Sequence, residues 1–172
     1  RFGGSGAEFS FRLLRRIVWP KVELAIRLWL GQIFFVSGVI KLTNWHTALT
    51  LAATEYPVSW LDPVTAAVLG VAIEVIAGAL LTAGLMTRYA AIPMLALALV
   101  AQISYLPFDN QLFWIALFGW YVVFGAGALS LDHLFARGLA DSAIPLVGPF
   151  MRANAWITAH IGPLFLAQLR LW

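Results

Sequence analysis

No cysteine occurs among the 172 residues, so disulfides, thiolate metal sites and cysteine nucleophiles are excluded from this chain. Charge is scarce too: Asp, Glu, Lys and Arg supply 11% of the residues, where a soluble domain carries about 25%. The only histidines, His46, His133 and His160, show no ligand spacing, which argues against haem or zinc and assigns no metal ligand. Gly3, Gly4 and Gly6 lack the strand and helix that a dinucleotide-binding loop requires. The formal net charge is +3, but the basic residues border apolar runs and form no stripe, so nucleic acid is not an expected partner.

What fills the chain is apolar: 62% of the residues are hydrophobic and the mean hydropathy is +0.86. Such a composition predicts an all-α integral membrane protein. Four apolar runs are expected to form a four-transmembrane-helix bundle. They are Val22 to Leu42, Pro63 to Ala83, Tyr89 to Leu106, and Gln111 to about Leu129. The pattern divides the chain into a linker and basic interfacial helix (1–21), the bundle (22–131) and an amphipathic, interfacial C-terminal segment (132–172). In the loop before the second run, Trp45, Tyr56 and Trp60 read as interface anchors, and Ala48 to Glu55 as a short surface helix. The opening RFGGSG reads as a linker or the end of something upstream. Arg170-Leu171-Trp172 repeats Arg27-Leu28-Trp29, as if a second, similar bundle began there. Arg12, Arg15, Arg16, Lys21, Arg88, Arg137 and Arg152 flank one side, while Glu55, Asp62 and Asp109 face Lys41 on the other. The positive-inside rule then puts both termini in the cytoplasm.

Glu74 stands in the middle of the second run, with Gly70 and Gly78 one turn away on either side of the same helical face. A carboxylate at that depth costs about 3 kcal/mol on insertion scales, so it must face protein and have a partner. Small residues at that spacing let a neighbouring helix approach closely. In the first run, Arg27, Gly31, Phe34, Gly38 and Lys41 form one seam. Arg27 either reaches Glu74 across the helix pair or pairs locally with Glu23. Lys41 either snorkels to the far surface or joins the polar groups that meet a ligand. Gln102 and Tyr105, three residues apart, either present an amide and a phenol to one site or bond a neighbouring helix. Trp114, Trp120 and Tyr121 either pack or wall a groove.

The motifs together resemble the DoxX family of small four-span membrane proteins. The resemblance rests on RLWLGQIFFVSGVIKL, LGVAIEVIAGALLTAGLMTR and AAIPMLAL, and covers roughly Leu24 to Leu131. The family's Arg and Gly-x-x-Lys fall on Arg27, Gly38 and Lys41. Its Gly-x-x-x-Glu-x-x-x-Gly falls on Gly70, Glu74 and Gly78, and its Gly-Leu-x-x-Arg turn on Gly84, Leu85 and Arg88. The resemblance implies a membrane subunit linked to redox chemistry, in thiosulfate:quinone oxidoreduction, thiol and oxidative-stress systems, or beside flavoproteins. Some relatives look like C-terminal parts of flavin-dependent oxidoreductases; any flavin would then sit in a partner or an upstream domain.

Three functions are compatible with these residues. The first is the quinone-side module of a redox complex in a bacterial cytoplasmic membrane, with Glu74 and Arg27 as the catalytic pair and Gln102, Tyr105 and Lys41 binding the quinone. The second is a structural anchor or assembly factor. The third is a small-molecule carrier with Glu74 as its coupling group, for which four spans are few unless the chain dimerises or has the tandem repeat.

Overall fold

The computed structural model describes residues 14–55, 57–104, 109–139 and 147–170. Seven α-helices are found among them: α1 Trp19–Thr43, α2 Trp45–Thr50, α3 Pro63–Ala83, α4 Thr87–Ser104, α5 Asp109–Phe124, α6 Leu131–Leu139 and α7 Val147–Arg170. The chain is an all-α membrane protein, in which α1 with the residues before it, α3 and α4 are each long and apolar enough to cross a bilayer. The described part of the basic N-terminal segment is a π-helical turn, Leu14–Val18, that runs directly into α1.

Helix α3 shows why the sequence breaks where it does. Asp62 precedes Pro63 and its carboxylate accepts from the backbone N–H groups of Val64 and Thr65, at 3.1 and 3.2 Å. Those donors have no intrahelical partner, and proline at the first position has no N–H to lose. At the other end Gly84 adopts φ +68° and Leu85 N–H returns to the Leu80 carbonyl at 3.0 Å, a left-handed cap that glycine accepts without strain.

α1 and α3 run antiparallel and form the most extensive helix pair. Small residues set their separation. A Cβ on Gly78 would lie 2.7 Å from the Phe35 backbone nitrogen, and one on Gly38 would lie 2.9 Å from the Glu74 Cβ. Gly70 behaves differently, since nothing lies within 4 Å of where its Cβ would stand. The two glycines that bracket Glu74 therefore have separate duties: Gly78 admits a neighbouring helix and Gly70 leaves open space. Gly78→Ala is accordingly expected to cost about 1–3 kcal/mol through overpacking, whereas Gly70→Ala should leave stability unchanged or slightly raised through helix propensity. Chemical unfolding in mild detergent checks both; equal losses at the two positions would refute the distinction.

α4 packs between α3 and α5, and α5 closes back on α1 through aromatic side chains, including Phe34 against Trp114 and Phe118 at ring separations of 5.2 and 5.1 Å. The core lies between these four helices around Leu30, Leu81, Met94, Phe118 and Tyr121. The fourth helix ends at Phe124, five residues before the expected Leu129. Gly125 and Gly127 take φ values of +78° and +70° there, which stops the helix and folds the next residues back under the bundle. At 16 residues, or about 24 Å, α5 falls short of a ~30 Å hydrocarbon core. The C-terminal segment holds an amphipathic α6, capped where His133 N–H meets the Ser130 hydroxyl, and a continuous α7 in contact with α5.

Candidate functional site

Glu74 lies on the α3 face that meets α1, level with Gly38. Lys41 is one turn beyond Gly38, and its ammonium donates to Glu74 Oε1 at 2.6 Å. The Glu74 side chain is 9% exposed and that of Lys41 is 28% exposed, so the pair reaches from the interior towards the α2 end of the bundle. Glu74 Oε2 is buried and has no hydrogen-bond partner among the described residues.

Both side chains border a cavity of about 290 Å³. Its floor and one wall are Phe34, Met94, Trp114 and Phe118. The opposite wall is made of small residues, Ala66, Ala67 and Gly70 on α3 with Ala98 and Ala101 on α4. α2 and the turn after it form the roof through Ala48, Leu51 and Ala52. The short helix expected at the membrane surface packs against the bundle, with Ala48 only 3% exposed. Chemically, the cavity offers an apolar, aromatic-sided space with one hydrogen-bond donor and one free carboxylate oxygen on its wall.

Arg27 belongs to the other end of the bundle. It lies eleven residues before Gly38, about 16 Å along the axis, so the expected contact with Glu74 does not form. Its guanidinium donates instead to the carbonyls of Ala126 at 2.9 Å and Leu129 at 2.8 Å. Glu23, the other candidate partner, accepts a hydrogen bond from Trp120, abuts Gly127 and acts on Arg27 through space. Arg88 carries out a matching role at the end of α5, donating to Val123 O at 2.7 Å, more weakly to Val122 O and Phe124 O, and to the Thr158 hydroxyl of α7. Helix C-termini leave carbonyls unpaired, and inside a membrane each must find a donor from protein. Asp132 completes this end by accepting from the Met86 and Thr87 N–H groups at the start of α4.

Of the residues predicted from sequence, Glu74 and Lys41 therefore come together on the cavity wall, and Arg27 is assigned to holding backbone. Gln102 is not part of the wall, although its Oε1 is buried without a partner among the described residues. Tyr105 and Tyr56 lie outside the described residues. Sequence reasoning missed the capping roles of Arg88 and Asp132 and the open face of Gly70. The run Ser130-Leu131-Asp132 before an amphipathic segment is a readable N-cap signal, but nothing in it announces that Asp132 also serves α4. Among the described residues, no three His, Asp or Glu side chains stand close enough to hold a metal ion.

Neither a curated protein nor a solved structure matches the chain. Residues 22–106 match the family model described as DoxX, a stretch that holds all but the first three residues of α1 and the whole of α2 to α4, and with them Lys41, Glu74, Gly70 and the greater part of the cavity wall. The chain is an integral membrane protein with a DoxX domain over residues 22–106.

Proposed function

We propose that this protein is the quinone-side membrane module of a redox system, and that the quinone ring occupies the cavity beside Lys41 and Glu74. The observation that carries this reading is the unpaired, buried Oε2 of Glu74 on the wall of an apolar cavity. A buried acceptor without a partner is costly, and a ligand that brings a hydroxyl or a protonatable oxygen removes that cost. The open face of Gly70 opposite Trp114 and Phe118 suits a flat ring. A quinone supplies two-electron, two-proton carrier chemistry, with electrons delivered by an associated flavoprotein or sulfur-compound dehydrogenase. Lys41 donates a hydrogen bond that orients a carbonyl oxygen, and Glu74 offers its free Oε2 as the oxygen that exchanges a proton with the ring. Arg27 takes no part in these steps, and Gln102 and Tyr105 are not needed for them. In a bacterial cytoplasmic membrane with both termini cytoplasmic, Lys41 lies in the outward-facing half.

The test pairs a binding measurement with a rate. Short-chain quinone should quench the tryptophan fluorescence of the purified protein saturably, and Gly70→Leu, which fills the cavity, should weaken that by tenfold or more. Glu74→Gln should preserve the helical circular dichroism while lowering quinone reduction in membranes about 100-fold, the scale of a lost general acid–base group. Unchanged quenching in Gly70→Leu would remove the ring from this cavity. A different observation favours the anchor reading: Arg27, Arg88 and Asp132 are all spent on backbone groups. That reading predicts no saturable quenching, and loss of stability as the first effect of Glu74→Gln.

A further inference from the structure

A second cavity, of about 280 Å³, lies on the far side of α5 from the Lys41–Glu74 pair. Trp19, Val22 and Ile26 of α1 face Ala116, Leu117 and Trp120 of α5 across it, and Leu169 of α7 closes one edge. Glu23 also borders it, but its carboxylate is turned to Trp120 and Gly127, so the surface left to an occupant is hydrocarbon and indole. Trp19, Val22, Ile26 and Phe113 are 37–52% exposed on the outside of the bundle, which makes this a groove that opens sideways to lipid.

The geometry points to a binding site for one acyl chain of an anionic phospholipid, with its headgroup against Arg16 and Lys21. Length is the first argument. From Trp19 to Ile26 is about 10 Å along α1, and from Phe113 to Tyr121 about 12 Å along α5, most of the ~15 Å that one leaflet contributes to the hydrocarbon core. The second argument is what stands at the mouth. Trp19 and Trp120 meet edge to face at 6.1 Å, and indoles of this kind settle at headgroup depth. The third argument is charge. Arg16 lies three residues before Trp19, in the π-helical turn that runs into α1, and both Arg16 and Lys21 are exposed. Chains in the groove and chains in bulk lipid are equally apolar, so fit alone cannot select a lipid. Selection has to come from the headgroup, where each interfacial cation favours an anionic lipid by about fivefold.

The experiment uses the full chain in phosphatidylcholine nanodiscs doped with chain-brominated phosphatidylglycerol or, separately, chain-brominated phosphatidylcholine at equal low mole fraction. Bromine quenches indole on contact, and subtracting the signal of Trp120→Phe isolates the groove. The expected result is a Trp120 component quenched by phosphatidylglycerol at fivefold lower mole fraction than by phosphatidylcholine, or less. Arg16→Gln with Lys21→Gln should bring the two lipids level, and Ala116→Phe, which fills the groove, should abolish the selective component. Equal quenching by both lipids in the unaltered protein would overturn the proposal, as would a selective component that survives Ala116→Phe or its displacement by a quinone. Should Ala116→Phe fail to fold, the two exposed charge substitutions decide the matter by themselves.

Discussion

Replacing Lys41 by methionine is expected to destabilise the protein by about 3 kcal/mol, more than Glu74→Leu, while the double substitution recovers most of the loss. The asymmetry follows from burial. Without Lys41, a carboxylate whose side chain is 9% exposed remains near the middle of a membrane helix with no counter-charge. Breaking a buried pair from one side costs about 3–5 kcal/mol, and the low end applies here because Lys41 itself is 28% exposed. Without Glu74, the lysine side chain is long enough to swing its ammonium towards the nearby surface and escape the penalty. Glu74→Leu should therefore cost about 1 kcal/mol, near the worth of an exposed pair. A double-mutant cycle by chemical unfolding in mild detergent measures the coupling directly. Equal single losses that simply add would show that the two side chains do not depend on each other.

Arg27→Ala should be the most damaging single change of those considered, at about 3–6 kcal/mol. Two charge-assisted hydrogen bonds vanish, each worth about 1.5–3 kcal/mol. The carbonyls of Ala126 and Leu129 then have no donor in a segment that is not helical. Arg27→Lys should restore no more than about half, because an ammonium is a point donor and cannot span two carbonyls as a planar guanidinium does. The check is the unfolding midpoint of the three proteins, with quinone quenching as the control. Since Arg27 is remote from the cavity, whatever fraction stays folded should bind quinone with unaltered affinity. A weakened affinity in folded Arg27→Lys would return Arg27 to the ligand site.

The bounds of α3, the buried carboxylate and the seam on α1 were all legible, because each depends on local spacing. Asp62-Pro63 and Gly84 bracket α3 by chemistry that any sequence displays, and a mid-span glutamate announces that it has a partner. Its identity was not legible. Choosing between Arg27 and Lys41 needs the antiparallel register of two helices, and that is set by Gly31, Gly38 and Gly78 against side chains they do not adjoin in sequence. Arg27 was misread for a stronger reason: its partners are backbone carbonyls about 100 positions away, and a carbonyl carries no residue type. The early end of α5 had a signal, Gly125 and Gly127 two apart, which a count of apolar residues passes over. Gly70 and Gly78 look alike in the sequence, and only the presence or absence of Phe35 opposite separates a packing glycine from a cavity-lining one.

The non-helical stretch after α5 also dictates an order of construction. Carbonyls there and in the last turn of α5 are satisfied by side chains that the chain made much earlier, Arg27 on α1 and Arg88 on α4. A segment leaving the ribosome one piece at a time can release α1, α3 and α4 into lipid as self-sufficient helices, each with its backbone bonds closed internally. α5 cannot be released in that way. It is too short to cross unaided and ends in polar backbone, so it has to be retained near the insertion machinery until both guanidiniums are in reach. α5 thus works as a latch that closes only on helices already in place, and errors in the first helix become visible only when α5 docks.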